Sequence, residues 1–354
     1  MLFLFFTFSL ALDTNASVIV KQTYEYTTDP MSDPHFMDFS PQGELFMVER
    51  IDAKVHRWSV TGKYLGAFGK KGQGPGEFMS PQLLYITEKE AWVWDRGTRL
   101  YSVFSHEGKF LRNVPAYAGR LRRFALINDN LILVGLQVRD PKNTRMEFHL
   151  TDLEGNSVKL LESVKNGMFI DTVEGDNLGH LKAYGPELDI VSNKKGDVWF
   201  GFSQTKIVTQ LNDKGEVVGK VSLNFPTAPP NDDEIEAFKR MSFNSDSGNS
   251  VSMASIPGIK WHYEYDKAFY THLAVFGDKV AAVLTPISGN DQQKAYNEAF
   301  YTILEFKDNG KPLSRGSYRF AEDAQLYYNN GHMVGAFMDE DDEFEIKSFV
   351  LKGF

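Results

Sequence analysis

Short, densely apolar runs alternate with polar turns centred on glycine, and the spacing recurs along the chain. Residues 44–68 read ELFMVER, IDAK, VHRWSV, TGK, YLGAF, and residues 90–111 read EAWVWD, RGT, RLYSVFS, HEGK, FL. Each stretch gives short β-rich runs joined by a polar turn and then a Gly-centred turn that returns the chain. The runs VWFGF, AWVWD, LILVGL and VAAVLT are almost continuously apolar and rich in β-branched and aromatic side chains. That composition predicts strands covered on both faces. KYLGAF and VHRWSV alternate instead, as strands with one face in water do. Helical periodicity appears clearly once, in Asp232-Asp233-Glu234-Ile235-Glu236-Ala237-Phe238-Lys239-Arg240-Met241. This segment follows Pro229-Pro230 and opens on acids, which suit a helix N-terminus.

Placed by their glycine turns, the units span about 36–68, 82–114, 124–161, 188–223, 271–318 and 322–352. A chain that repeats one small antiparallel sheet predicts a β-propeller or a β-solenoid. The sixth unit supplies only three strands, and VIVKQTYEY over 18–26 alternates as a strand with no unit of its own. Adding it to the sixth unit closes a ring and removes an open edge. The expected fold is therefore all-β: a six-bladed β-propeller over 17–354, with four-stranded blades and a ring closed by the N-terminal strand. The 354 residues, 42% hydrophobic, are enough for one closed fold of this size. The longest departure from the repeat is 223–270, a helical and aromatic insertion between the fourth and fifth blades.

Residues 1–16 carry an apolar stretch too short to span a bilayer, with small residues at Thr14-Asn15-Ala16 before Ser17. They read as a signal peptide, although no Lys or Arg precedes the apolar stretch. This predicts a periplasmic or extracellular protein, and with no Cys near the cleavage position a lipoprotein anchor is not supported. No later segment reaches the ~18 apolar residues of a membrane span. The formal net charge of -9 argues against nucleic acid and anionic membranes as partners. The chain has no cysteine, which excludes disulfides, thiolate catalysis and Cys-ligated metals.

Residues 69–81, GKKGQGPGEFMSP, carry a run of Gly72, Gly74, Gly76, Phe78 and Pro81 between two strands. This run, with AWVWDRGTRLYSVFSHEGKFL after it and Asp95 ending the second strand, resembles an NHL-type propeller repeat. The whole chain is similar to the secreted six-bladed NHL-like or TolB-like propellers of Bacteroidetes, mostly of unassigned function. The resemblance implies the fold and the location and supplies no catalytic residue. A phosphate-binding G-x-G-x-x-G would open a helix, whereas here Pro75 interrupts the run and a strand follows Pro81.

In four-stranded blades the first-to-second and third-to-fourth turns share one end. The short turns at Gly43, Gly62, Gly108, Gly155, Gly215 and Gly310 fall there. The long segments 69–81, 115–123, 139–145, 162–187, 224–270, 286–299 and 339–343 fall at the other end, so the site is expected there, at the mouth of the central channel. Basic residues Arg96, Arg99, Arg120, Arg122, Arg123, Arg139, Lys142 and Arg145 lie around blades two and three. Acidic Asp291, Glu298, Asp339, Glu340, Asp341, Asp342 and Glu343 lie around blades five and six. The basic sector suits an anionic group, a carboxylate or an acidic sugar, with Arg120, Arg122 and Arg123 foremost because they lead into an inner strand. The aromatic stretch holding Trp261, His262, Tyr263 and Tyr265 suits stacking on sugar rings or peptide side chains, or covers the fold's own apolar top. With His180, Lys182 and Tyr184 these residues complete the expected ligand-binding set.

The eight histidines include no H-E-x-x-H pair. His35, His180 and His262 lie in or near segments leading into inner strands, and resemblance to NHL-like enzymes makes them weak candidates for a divalent metal in the channel. Asp339–Glu343 lacks the glycine of a calcium loop. No G-x-S-x-G occurs, since Gly201-Phe202-Ser203-Gln204-Thr205 lacks the second glycine. Glu187 and Glu264 are the loop acids to test for glycoside hydrolysis. The expected function is non-catalytic binding of an envelope protein or of a small or oligomeric ligand, by a monomer with no cofactor. A metal-assisted hydrolase or lyase at the channel mouth is the alternative.

Overall fold

The computed structural model describes residues 19–26, 34–138, 144–165, 179–183, 185–193, 196–223, 228–240, 242–244, 250–266, 270–276, 279–284, 299–306, 312–320, 324–329, 332–338 and 344–352. Among these, the strands form six four-stranded antiparallel sheets and two short two-stranded ribbons. The first sheet pairs Pro34–Phe39, Leu45–Glu49, Lys54–Trp58 and Tyr64–Phe68 in chain order. The second pairs Pro81–Ile86, Glu90–Asp95, Leu100–Ser105 and Phe110–Pro115. The third pairs Arg120–Asn128, Leu131–Val138, Arg145–Thr151 and Ser157–Lys165. The fourth pairs Leu188–Ser192, Val198–Phe202, Ile207–Leu211 and Val217–Ser222. The fifth pairs Tyr270–Phe276, Lys279–Leu284, Ala299–Phe306 and Pro312–Phe320. The sixth pairs Ala324–Asn329, His332–Met338 and Phe344–Lys352, with Ile19–Tyr26 in the outermost place and Ile19 opposite Lys352. First strands of successive sheets pack side by side, and that of the sixth also meets that of the first. The arrangement is an all-β propeller with four-stranded blades.

The continuously apolar runs are the second strands, sandwiched between neighbouring sheets. Leu45–Glu49 and Val198–Phe202 are buried at every position. Aromatic rings lock adjacent sheets together, with centroids 4.8 Å apart for Tyr101 and Phe124 and 4.6 Å for Phe148 and Phe200. Each such buried ring contributes about 1.5–3 kcal/mol. In the first four sheets the fourth strands face water, and Tyr64–Phe68 alternates between partly buried and exposed.

Four third-to-fourth turns share one local design. Ser59, Ser105, Asp152 and Asn212 open them, and the carbonyl of each accepts the N–H of Gly62, Gly108, Gly155 or Gly215. The side-chain oxygen of each opener accepts the N–H of Lys63, Lys109, Asn156 or Glu216 in the same order. The geometry is a type I turn followed by a left-handed residue, which makes a bulge in the returning strand. Gly108 shows why glycine is required: its φ is +83°, and a Cβ there would lie 2.6 Å from Phe68 Cβ.

The connection over 69–80 is fixed differently. Asp95, fully buried at the end of its strand, accepts the N–H groups of Met79 at 2.6 Å, Ser80 at 2.9 Å, Gly97 at 2.7 Å and Thr98 at 3.3 Å. One carboxylate thus ties the Gly-rich connection to the second-to-third turn. Phe78 closes the connection by burying its ring beside Phe104, 5.5 Å away. The glycine run is a blade-to-blade connection leading into Pro81–Ile86.

Candidate functional site

Two long connections meet at the end of the blades opposite the short turns. Gly179–Lys182, before the fourth sheet, runs parallel to Ile259–His262 from the insertion, with Gly179 opposite Ile259 and Lys182 opposite His262. Backbone bonds extend the pairing at both ends, from Gly179 N–H to Gly258 O at 2.7 Å and from Ala183 N–H to His262 O at 2.9 Å. The ribbon brings His180 Nδ1 to 2.9 Å from His262 Nε2, and His262 Nδ1 lies 2.8 Å from Glu264 Oε1. Lys182 Nζ sits 4.4 Å from the centre of the Tyr265 ring, a cation–π contact.

Behind the ribbon stands the helix Asp232–Arg240. Its start is fixed by a reciprocal cap: Asn231 Oδ1 accepts the Glu234 N–H and Glu234 Oε2 accepts the Asn231 N–H, each at 2.8 Å. The helix buries Phe238, and Trp261 meets that ring edge-on at 4.8 Å, with Tyr263 at 6.0 Å. Trp261 and Tyr263 therefore pack on the insertion's own helix and are half-buried.

The three arginines separate. Arg120 is exposed at the start of the third sheet's first strand, and Arg122 and Arg123 are half-buried. Arg123 is committed inside the fold: its Nε donates to Asp189 Oδ1 at 3.1 Å, and its guanidinium lies 5.4 Å from the centre of the Phe36 ring. Arg123, expected in the ligand-binding set, is thus held by an ion pair of the fold. Asp189 also accepts the N–H of Leu273 in the fifth sheet at 2.7 Å, so one ion pair links four sheets, counting Phe36 in the first. Asp189 and Phe36 are the residues the sequence reading missed. The signal for Asp189 is a lone charge inside the apolar run Leu188–Ser192.

Glu187 stands just before Asp189, with its N–H donated to Ser203 Oγ at 2.8 Å and its carbonyl accepting the Ser203 N–H at 2.9 Å. Burial raises the pKa of its carboxyl, Arg122 and Arg123 pull it back, and burial prevails. Glu264 has the opposite balance: the bond from His262 holds its exposed carboxyl below the usual range. Arg145, expected in the basic sector, pairs instead with Glu147 at 3.0 Å. His35 lies on the first strand of the first sheet. Among the described residues, no three His, Asp or Glu side chains converge as a metal site would require. Tyr184, Arg139, Lys142, Asp291, Glu298, the acidic stretch 339–343 and the leader 1–16 lie outside the described residues.

No family model matches the chain, and no curated protein matches it. Among solved structures, an exported protein from Bacteroides fragilis aligns with a TM-score of 0.55 at 10% identity, covering 94% of this chain and 96% of that one. A DUF4221 family member from Bacteroides vulgatus aligns with a TM-score of 0.49 at 9% identity, covering 96% and 99%. Virginiamycin B lyase from Staphylococcus aureus aligns with a TM-score of 0.42 at 10% identity, covering 95% and 100%. At such identities the likeness to the first concerns the fold alone, and the lower two scores carry no argument. The chain is similar in fold to a propeller-like protein of Bacteroides.

Proposed function

We propose that the chain is an exported six-bladed propeller whose long-connection end is a binding surface for an anionic ligand or a protein partner. Six four-stranded sheets with first strands packed in sequence support the blade count, and the pairing of Ile19–Tyr26 with Phe344–Lys352 supports closure of the ring by the N-terminal strand. The leader-like residues 1–16 support export, as does the exported protein of similar fold. Among the described residues no helix is long and apolar enough to cross a membrane.

The observation that carries the reading is the parallel ribbon. It gathers Lys182, Trp261, His262 and Tyr263 from two connections far apart in sequence, at the end of the blades where Arg120 and Arg122 emerge. Guanidinium and ammonium groups recognise carboxylates, and ring faces beside them take sugar rings. Loops on a rigid sheet scaffold are where binding residues concentrate. The test is a glycan array carrying neutral and uronic-acid oligosaccharides. Selective capture of the uronic acids, reduced roughly tenfold by Arg120→Ala with Arg122→Ala, is expected from the loss of two charged contacts. Equal retention of neutral and acidic glycans, or no change in the double variant, would overturn the anionic reading.

A further inference from the structure

Two sheets each carry a hydrogen-bonded chain from carboxylate to imidazole to hydroxyl, with the histidine on the third strand and the hydroxyl on the fourth in both. In the first sheet Glu49 Oε2 lies 2.8 Å from His56 Nε2, and the Tyr64 hydroxyl lies 3.1 Å from His56 Nδ1. In the third, Glu147 Oε2 lies 2.9 Å from His149 Nε2, and Ser157 Oγ lies 2.8 Å from His149 Nδ1. In both, the hydroxyl follows the histidine by eight residues, across the third-to-fourth turn.

Protonation in the third sheet follows from the partners. Burial pushes the Glu147 carboxyl upward, but bonds from His149 and Ser163, with the charge of Arg145, hold it below the ordinary range, so it is ionised. An ionised carboxylate only accepts, so Nε2 of His149 carries a proton, and in the neutral imidazole Nδ1 then presents a lone pair. Ser157 then donates to Nδ1. This is the arrangement of a nucleophile, its base and the group that orients the base. His149 is buried, with the Tyr117 ring 4.8 Å away. Ser157 is exposed.

The surroundings distinguish the two chains. Tyr64 is half-buried, its ring 5.6 Å from that of Trp58. Ser157 sits on an outer strand beside the bulged Val158, and Leu160 lies opposite His149 in the ladder. Val158 and Leu160 are 59% and 51% exposed, an apolar shelf next to the serine hydroxyl.

We propose that Ser157 is a nucleophile toward small acyl esters, with His149 as its general base and Glu147 as the positioning residue. Ser157 Oγ attacks the ester carbonyl carbon while its proton passes to His149 Nδ1. The bond to the leaving alcohol breaks, and the imidazolium returns that proton to the departing oxygen. Water, deprotonated by the same imidazole, then releases the acyl group as a carboxylic acid and restores the serine. The short acyl chain rests on Leu160 and Val158. The site lies just past the turn over 152–156, with Tyr117 of the connection 115–123 against its imidazole, and its test does not depend on the binding reading.

The experiment treats the full chain with a fluorophosphonate probe and locates the adduct by peptide mass spectrometry, with p-nitrophenyl acetate hydrolysis measured in parallel. The expected result is one adduct per chain, on Ser157, absent in Ser157→Ala. Removing a general base costs roughly a hundredfold in rate, so His149→Gln should label about that much more slowly. Glu147→Gln, nearly isosteric, should slow labelling at least about tenfold by disturbing the imidazole tautomer, and it answers the question if His149→Gln fails to fold. No adduct, an adduct elsewhere, or labelling of Ser157 at an unchanged rate in a folded variant of either residue would overturn the proposal.

Discussion

The two ends of the blades are held by different means. At the short-turn end, four third-to-fourth hairpins are each closed by residues within five positions of one another, a Ser, Asp or Asn opener and its glycine. At the connection end, single buried carboxylates gather distant backbone: Asp95 collects N–H groups from Met79 to Thr98, and Asp189 joins its own sheet to Arg123 and to Leu273. Local closure makes the turns interchangeable from sheet to sheet. Anchoring by a few carboxylates frees the intervening loops to differ, and this is the end where a binding surface can vary without cost to the blades.

The contrast breaks most sharply at the anchors. Asp95→Ala strips the acceptor from four N–H groups at once and should cost roughly 4 kcal/mol, read from denaturant unfolding. Ser59→Ala at a short turn should cost about 1 kcal/mol; equal losses would erase the distinction. Glycine tests it from the other side. Gly108→Ala combines a left-handed backbone with a clash on Phe68 and should cost about 3 kcal/mol. Gly258→Ala, at the connection end with φ +78° and open space around its Cβ, should cost only about 1 kcal/mol.

A smaller effect separates two carboxyls by the sign of their pH dependence. Glu187 has a raised pKa in the fold, so its ionised form opposes folding. Glu187→Gln should be more stable than the parent at neutral pH, with the gap closing as pH falls toward the ordinary Glu value of about 4.3. Glu147 has a lowered pKa, so its ionised form favours folding. Glu147→Gln should be less stable at neutral pH, and the parent should lose that advantage as pH falls below about 4.3. Thermal melts across pH check both, and parallel curves for the two variants would contradict the assignment. The smallest expected change is none: dialysis against a chelator should leave the melting temperature unaltered. One divalent ion per chain by elemental analysis, lost with His180→Ala, would instead support a channel metal.

What was legible in the sequence follows the same division. Turns written by adjacent residues were readable, as at Glu107-Gly108-Lys109, and so were second strands such as VWFGF, whose burial on both faces shows as unbroken apolarity. His180, Lys182, Trp261, His262 and Tyr263 could be picked out by residue type. Their parallel pairing could not, because it joins positions 80 residues apart (Gly179 with Ile259) through no repeat. Arg123 looked available because its partner Asp189 lies on another sheet. The carboxylate–imidazole chains were also missed: Glu147 and His149 share one strand face at i, i+2, but Ser157 reaches them only after the turn is built.

The sheet that unites Ile19–Tyr26 with Phe344–Lys352 also sets the order of events during synthesis. Of the described strands, its outermost leaves the ribosome first and its partner last. Until then the early strand, alternating and edge-like, waits while the intervening sheets assemble, and this last pairing carries the greatest loop-closure entropy among the described strand pairs. Newly made chains should therefore pass through a long-lived state with one loose strand, the natural point of capture for a chaperone or a secretion apparatus.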